Sequence, residues 1–227
     1  MANQEFNPKQ LTTYGRLSFP TFTTKEAFEL SKKGKYPVTD EAEATPSFNL
    51  VLTQTQHDAV LKHFLDHFLP YCVQQNSKGE KKDSLEQAEV TMLTEGLQGD
   101  LGKQVCNTPL RAVHPKTLEL VPDAVSTLRV LGSSKGVNID QRAIVQSAQE
   151  LAVPDPDQLI FPVVKPIGQT IHQLYPGCYA AATLNLYSYH NGKLPGFSAS
   201  ASTIVFRMDA DRFGGSVAVD EDAIFMD

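Results

Sequence analysis

The chain has 227 residues, of which 41% are hydrophobic and 20% are charged, enough for one large domain or two small ones with a proper core. No run approaches the roughly 18 apolar residues of a membrane span, and the polar stretch from Met1 to Gln10 lacks the apolar region of a secretory signal. Cys72, Cys106 and Cys178 are far apart and odd in number, which predicts reduced thiols rather than a disulfide framework or a metal site.

The formal net charge of −6 argues at first against a nucleic-acid binder. Its distribution is uneven, since six acidic residues and one arginine lie between Asp209 and the end, which leaves the rest of the chain near −1. A nearly neutral body can still carry a basic groove, whereas a uniformly acidic one would repel phosphate. The charge pattern therefore predicts an acidic C-terminal tail and leaves nucleic-acid binding open.

A first strand is predicted from Leu11 to Phe19, ending at Pro20. Alternation places Tyr14 and Arg16 on one face, and Leu17 and Phe19 on the other, apolar face. An aromatic ring beside a cation can stack a base and contact a phosphate. The competing interpretation is a solvated edge strand with an ordinary arginine.

The next strong signals are a strand at 48–52 and a helix that begins with a capping box at Thr53 and Gln56. Apolar residues recur at helical spacing from Val60 to Leu69, and Pro70 is expected to end the helix. Its polar face is predicted to carry solvated histidines. Two of them, four residues apart, have the spacing of a metalloprotease pair, but the required glutamate is missing. These histidines are His57, His63 and His67.

The middle of the chain offers little catalytic chemistry. Residues 96–103 and 132–136 are glycine-rich but lack the spacing of a phosphate loop, which argues against nucleotide hydrolysis. A strand is predicted at 127–131, with Arg129 as a groove residue, and a helix at 139–151. A cysteine-dependent enzyme would use Cys178 with His172 or His190, but strand parity places that thiol on an apolar face, where it is inert.

The clearest feature is a hairpin around Asn191-Gly192, with arms at 179–189 and 197–207. Even positions of the first arm are small and apolar, whereas odd positions carry Tyr179, Tyr187 and Tyr189 among polar residues. Every base has a face to stack, at roughly 1–3 kcal/mol each, so such a face suits single-stranded nucleic acid. Alternatively, the tyrosines simply cover a solvated sheet face. Past Thr203 the alternation fails, which predicts a bulge or a sheet edge.

The end of the chain reads as a Gly-Gly-Ser hinge at 214–216 followed by an acidic segment with an apolar tip at 224–226. Such a tail cannot build a core and is expected to be mobile. It could occupy a basic groove until DNA displaces it, or dock its aromatic residue into a partner protein; the alternative is a solubilising tail. The tail residues proposed for docking are Asp220, Glu221, Asp222 and Phe225.

Three segments together resemble a known family. They are Tyr-Pro-Gly-Cys-Tyr at 175–179 with the strand that follows, Asp-Arg-Phe-Gly-Gly at 211–215, and Gly-Arg-Leu-Ser at 15–18 followed by Pro20. They resemble the OB-fold single-stranded DNA-binding proteins of tailed bacteriophages, the type first seen in an Enterobacter phage. The resemblance is good at both ends of the chain and poor at about 75–160, which is interpreted as an insertion.

The resemblance implies a mainly β fold with added helices, an OB-fold-like five-stranded barrel in one domain at 1–213 with the tail at 214–227. It implies a non-catalytic protein without cofactor or metal that coats single-stranded DNA during phage replication and recombination. The expected location is the cytoplasm of the infected bacterial host, and the tail is expected to meet replication proteins such as polymerase or helicase–primase. An alternative is a protein- or saccharide-binding module of the same architecture.

The predicted DNA contacts have two origins. Arg16 and Tyr179 match family positions, so their role is implied by the resemblance. The strand pattern of the chain itself adds Tyr14, Arg129, Tyr187, Tyr189, Lys193 and Arg207.

Overall fold

The computed structural model describes residues 6–33, 37–132, 138–140, 174–201, 203–208 and 210–213. The strands are β1 (Gln10–Thr21), β2 (Ser47–Thr53), β3 (Leu110–Arg111), β4 (Ala124–Leu131), β5 (Asn138–Asp140), β6 (Tyr179–Asn191), β7 (Leu194–Ser200) and β8 (Thr203–Met208). The α-helices are α1 (Thr24–Ser31), α2 (Gln54–His63), α3 (Leu69–Ser77), α4 (Gln87–Gln98) and α5 (Pro115–Leu120). One turn of π-helix, Phe64–Phe68, joins α2 to α3.

Within the described residues, five strands close into a ring. Strand β1 pairs with β2 and with β6, β2 pairs with β4, and β7 joins β4 to β6; the β4–β7 pairing is parallel and the others are antiparallel. Strand β3 adds to β4, and the parallel pair β5–β8 extends the sheet beside β6. The predicted fold class, mainly β with added helices around five OB-like strands, is confirmed.

Closure of the ring depends on one change of partner within β1. Residues Gln10–Arg16 pair with β6, whereas Arg16–Thr21 pair with β2. At the crossover, a Cβ atom on Gly15 would lie 2.7 Å from the carbonyl oxygen of Val51. Glycine is therefore required here, because the strands approach too closely for any side chain.

The inside of the ring is filled as strand parity predicts. Even positions of β6 from Ala180 to Leu186 and odd positions of β7 are buried, together with the apolar face of β2. The rings of Phe64 and Phe68 lie 5.0 and 5.3 Å from that of Phe197, so the α2–α3 helix packs its apolar stripe against this core.

The helix after β2 starts as predicted but does not stop at Pro70. The capping box is present, with Thr53 N donating to Gln56 Oε1 at 2.9 Å. The π-turn then leads directly into α3, and Pro70 occupies its first turn. The prediction of an end at Pro70 is wrong: the proline follows the π-turn, where Leu69 N donates to Phe64 O and the hydrogen-bond pattern changes register, so the helix continues past the missing N–H.

Two of the three histidines predicted to be solvated are buried. His57 Nδ1 lies 2.8 Å from Ser126 Oγ, and His63 Nε2 lies 3.0 Å from the carbonyl oxygen of Pro8. Burial lowers the pKa of both rings and favours their neutral form. His67 is half-buried. The prediction fails for His57 and His63 because the sequence of one helix does not show which distant residues cover its polar face.

Among the described residues, no group of three or more potential ligands could hold a metal, and no helix could cross a membrane.

Three further predictions concern the end of β1, a helix predicted to begin at residue 139 and the second arm of the hairpin. Strand β1 runs through Pro20 to Thr21 instead of stopping there. Residues Asn138–Asp140 form β5, where a helix was predicted to begin; the rest of that helix lies outside the described residues. The second hairpin arm divides into β7, which pairs with Asn185–Asn191 of β6, and β8, which pairs with Tyr179–Ala182. The bulge predicted past Thr203 is present as a register shift between Phe206 and Met208.

The three family-like segments meet in one place, here called the terminal latch and defined as residues 175–178 and 210–213 around Arg16. Arg16 Nε donates to Gly177 O at 2.8 Å, and its guanidinium also donates to Asp211 O. Phe213 N donates to Pro176 O at 2.9 Å, and Arg16 lies over the Phe213 ring at 4.6 Å. The latch fastens residues 210–213 onto the ring beside the β1 crossover.

Replacing Gly177 should open the latch. Its φ is +108°, and an added Cβ would lie 2.2 Å from Asp211 O, so Gly177→Ala brings both backbone strain and a backbone clash. We expect the free energy of unfolding to fall by about 3 kcal/mol. Gly192→Ala is the matched control, because its φ is +63° but nothing lies within 4 Å, and about 1 kcal/mol is expected. Equal losses in urea denaturation would contradict this account of the latch.

Candidate nucleic-acid interface

Side chains of β2, β3 and β4 form a polar, cationic surface outside the ring. Cross-strand register sets Asn49 opposite Arg129 and Arg111 opposite Thr127, so all four lie on the same face. Two cavities, of about 250 and 200 Å³, lie along this face, and both are lined by Arg111 and Arg129. We call the combined cavities the arginine groove, lined by Ser18, Phe19, Asn49, Asn107, Thr108, Pro109, Arg111, Ala112, His114, Thr117, Thr127, Arg129, Leu131, Tyr189, Asn191 and Ser198.

The two arginines give this groove its charge. Arg111 is half-buried, and its burial, followed by the nearby Arg129, lowers its pKa, while Tyr189 acts in the opposite direction. An arginine nonetheless stays protonated in a protein. Among the residues the structure describes, neither guanidinium forms a salt bridge. A half-buried cation, Arg111, beside an exposed one, Arg129, favours an anion between them, and a guanidinium fork fits phosphate oxygens.

Tyr189 lines the groove at β6, and Tyr187 lies beside it on the same strand face, outside both cavities; we call the pair the tyrosine wall. Tyr187 and Tyr189 are half-buried on the outer face, as parity predicts, with ring centroids 6.3 Å apart. The ring of Tyr189 lies over Gly196, where an added Cβ would sit 3.0 Å from Tyr189 Cζ. Small residues opposite the tyrosines therefore leave their rings room to lie along the sheet.

The backbone between these tyrosines is fixed by a partly buried ion pair. Ser188 N donates to Asp83 Oδ1 at 3.1 Å, and the other oxygen of Asp83 pairs with Lys9. Asp83 is 4% exposed, so the carboxylate is held between the helices and β6. Because β1 no longer pairs with β6 beyond Asn185, this contact replaces a missing strand partner. It gives the tyrosine wall a rigid support.

Three other predicted contacts lie outside the groove. Tyr14 is on the outer face of β1 but is only 9% exposed, which leaves little ring surface for a base. Arg16 is engaged in the terminal latch, 5.8 Å from the ring of Tyr179, its partner across the strands. None of the three lines the cavities shared by the arginines. They make up a separate region of the outer surface, on the β1–β6 side.

The remaining predicted residues are scattered. Lys193 is exposed in the two-residue turn between β6 and β7. Arg207, on β8, is half-buried, and burial lowers its pKa. Neither residue lines the groove. The tail positions Asp220, Glu221, Asp222 and Phe225 lie outside the described residues, so their role stays a prediction.

Sequence reasoning missed Arg111 and Asn107. Strand β3 has only two residues, too few to show alternation, and Asn107 lies in the loop before it. Only the pairing of β3 with β4 reveals that Arg111 shares a face with Arg129. Ser198 of β7, which pairs with Tyr187, also lines the groove.

The ingredients of a cysteine enzyme are not brought together in the described part of the chain. All three cysteines are buried, and Cys178 is 0% exposed. Burial raises the pKa of Cys72 to about 12 and also raises that of Cys106, which keeps both as unreactive thiols. His190, one predicted partner, is exposed, with Nε2 2.7 Å from Glu89 Oε1. His172, the other, lies outside the described residues.

Comparison with known proteins gives structural neighbours only. No family model and no curated protein matches the chain. Among solved structures, it is similar to the single-stranded DNA-binding protein from bacteriophage Enc34 in complex with ssDNA (11% identity, TM-score 0.46, covering 91% of this chain and 90% of that one). The same Enc34 protein without DNA gives 13% identity and a TM-score of 0.46 over 95% and 90% of the two chains. The gp2.5 single-stranded DNA-binding protein of bacteriophage T7 gives 9% identity and 0.41 over 93% and 98%. These are proteins of the kind that the three sequence segments resemble.

Proposed function

We propose that this protein binds single-stranded DNA without sequence specificity and coats it. The observation that carries the proposal is the arginine groove with its tyrosine wall. Arg111 and Arg129 supply cations for phosphates, and Tyr187 and Tyr189 supply faces for bases. Phosphate contacts and base stacking carry little sequence information, so the expected binding is general. The Enc34 and T7 neighbours are described as binding the same ligand.

The chemistry favours unpaired over paired DNA. In a duplex the faces of the bases are stacked on each other, and only their edges are open in the grooves. A wall of half-buried tyrosine rings has nothing to stack on there, whereas a single strand presents base faces and a flexible backbone. Oligothymidine should therefore displace duplex DNA of the same length from the protein at equal nucleotide concentration.

The biological setting proposed here follows the sequence resemblance. We place the protein in phage replication and recombination, in the cytoplasm of the infected bacterium, as a non-catalytic component. Replication proteins such as polymerase or helicase–primase are the proposed partners of its tail. The buried thiols are consistent with a binding rather than a chemical role.

Removing either groove arginine should weaken binding and its dependence on salt. Arg111→Ala and Arg129→Ala should each lower oligothymidine affinity at low salt about tenfold or more, the value of a charge-assisted hydrogen bond. The slope of log affinity against log salt should fall by about 0.7 for each lost phosphate contact. Fluorescence anisotropy titrations over a salt series measure both quantities.

The control for the arginines is Lys62→Ala, which removes an exposed cation from α2, outside the groove. It should leave affinity and slope close to those of the parent protein. If the arginine variants behave like this control, the ligand lies elsewhere; a ligand whose binding ignores salt would favour the saccharide- or protein-binding alternative.

The tyrosine wall predicts a loss that depends on the ring. Tyr187→Ala and Tyr189→Ala should each cost about 1–3 kcal/mol of binding free energy, whereas Tyr187→Phe and Tyr189→Phe should retain most of the affinity. Thermal unfolding checks that each variant stays folded. Equal losses for the alanine and phenylalanine variants would show that the hydroxyl groups, rather than stacking, hold the strand.

The acidic tail is proposed to compete with DNA for the groove and to present Phe225 to a partner. The supporting observation is the contrast between a tail of net charge −5 from Asp209 onward and a groove with two cations. Deleting residues 214–227 should strengthen oligothymidine binding at low salt, and the gain should shrink as salt screens the charges. Phe225→Ala should leave DNA affinity unchanged but abolish binding to the replication polymerase. A deletion that changes nothing at any salt concentration would remove the tail from the proposal.

A further inference from the structure

The side chain of Phe19 points into solvent, although its odd position in β1 predicts that it faces the core. Odd residues of this strand face the core, and Leu17 is completely buried. Phe19 continues that series, so the sequence predicts a buried ring, yet it is 65% exposed. The prediction is wrong because the strand does not keep its register past Ser18.

A bulge turns Phe19 outward. Ser18 pairs with Asn49 and Thr21 pairs with Ser47, so two residues of β1 stand opposite one residue of β2. Such bulges re-aim a side chain and are common next to functional sites. The φ of Phe19 is +46°, a strained value for an aromatic residue, and the following proline restricts its backbone further. Strain of this kind persists where the surrounding structure enforces it, and it concentrates at ligand sites.

The outward ring lies at the rim of the arginine groove. Phe19 lines the cavity of about 250 Å³ together with Asn49, Thr127 and both groove arginines. Tyr189 lines the adjoining cavity, which shares the same arginines. An aromatic ring, a pair of cations and a second aromatic ring therefore follow one another along the groove: Phe19, the two arginines and Tyr189. A single strand has the matching order, in which bases alternate with phosphates.

We propose that Phe19 is a base-stacking residue, and that the cavity between Phe19, Asn49 and the two arginines is a nucleotide subsite. The base lies against the Phe19 ring, the Asn49 carboxamide offers a donor and an acceptor to its edge, and the arginines hold the adjoining phosphate. This subsite lies on the opposite side of the arginines from Tyr189, so a bound strand crosses β4. The inference rests on the proposed function and extends it to a residue that strand parity assigns to the core.

Phe6 provides a matched comparison. It is 64% exposed, almost the same as Phe19, but its ring packs edge-on against His67 at 4.7 Å and it lines neither cavity of the groove. Exposure of an aromatic ring alone predicts equal behaviour for the two residues. A stacking role predicts a response to DNA at Phe19 only.

The chain contains no tryptophan, so one introduced residue is a unique fluorescent reporter. We expect oligothymidine to quench the fluorescence of the Phe19→Trp variant in a saturable way and to leave that of Phe6→Trp unchanged. Phe19→Gly removes the ring and tolerates a positive φ, so it should bind about tenfold or more weakly while its melting temperature stays equal or rises.

The outcomes separate the two claims. If the parent protein does not bind oligothymidine, the proposed function fails, and the inference with it. If the parent protein binds, but Phe19→Trp is not quenched and Phe19→Gly keeps full affinity, the subsite is overturned while the proposed function stands. A loss of affinity together with a loss of stability in Phe19→Gly would also overturn it, since it would assign the ring a structural role.

Discussion

Strand β1 changes its pairing partner along its length, and this change closes the ring of five strands. The outer surface of the ring depends on that closure. Its first half pairs with β6 and its second half with β2, and the change occurs at Gly15 and Arg16. The close approach of Val51 at Gly15 and the hydrogen bonds of Arg16 to Gly177 and Asp211 hold the crossover. Because the ring closes there, each strand has one face inside and one outside. Residues distant in the sequence, such as Asn49, Arg129 and Tyr189, can then share one outer surface.

Local charge, not net charge, gives this surface its chemistry. The chain is acidic overall, yet the groove along β4 holds two guanidinium groups and, among the described residues, no carboxylate lines it. Keeping Arg111 half-buried beside Arg129 is unfavourable in the free protein, as the lowered pKa of Arg111 indicates. A bound phosphate would relieve that repulsion. The tyrosines beside the arginines add contacts that do not depend on charge, so part of the affinity should survive in salt.

The sequence predicts the parts of this fold whose signals are local. Alternation in β6 and β7 is strong, so the buried and outward faces follow directly, and the capping box at Thr53 is visible within four residues. The proline at position 70 misleads because the sequence does not reveal the π-turn that precedes it and lets the helix continue. The burial of His57 is not predictable from the local sequence, because its partner Ser126 lies 69 residues away.

The site is less predictable than the fold because it depends on pairings between distant strands. Arg111 lies in a strand too short for a pattern, and the outward turn of Phe19 requires knowledge of the register between β1 and β2. The segments that carry the family resemblance contribute mainly to the terminal latch, so Arg16 is engaged with backbone carbonyls and the Phe213 ring. Family-like residues thus hold the framework, and the groove is built largely from residues outside those segments.

The path of DNA over the outside of β4 is tested most directly by photo-crosslinking with an oligothymidine that carries 5-bromodeoxyuridine, followed by mass spectrometry of the crosslinked peptides. Crosslinks are expected at Tyr187 and Tyr189 and in peptides that contain Arg111 or Arg129. Crosslinks confined to the helical side, for example at the half-buried Tyr71 of α3, would contradict the assignment of the arginine groove as the DNA site.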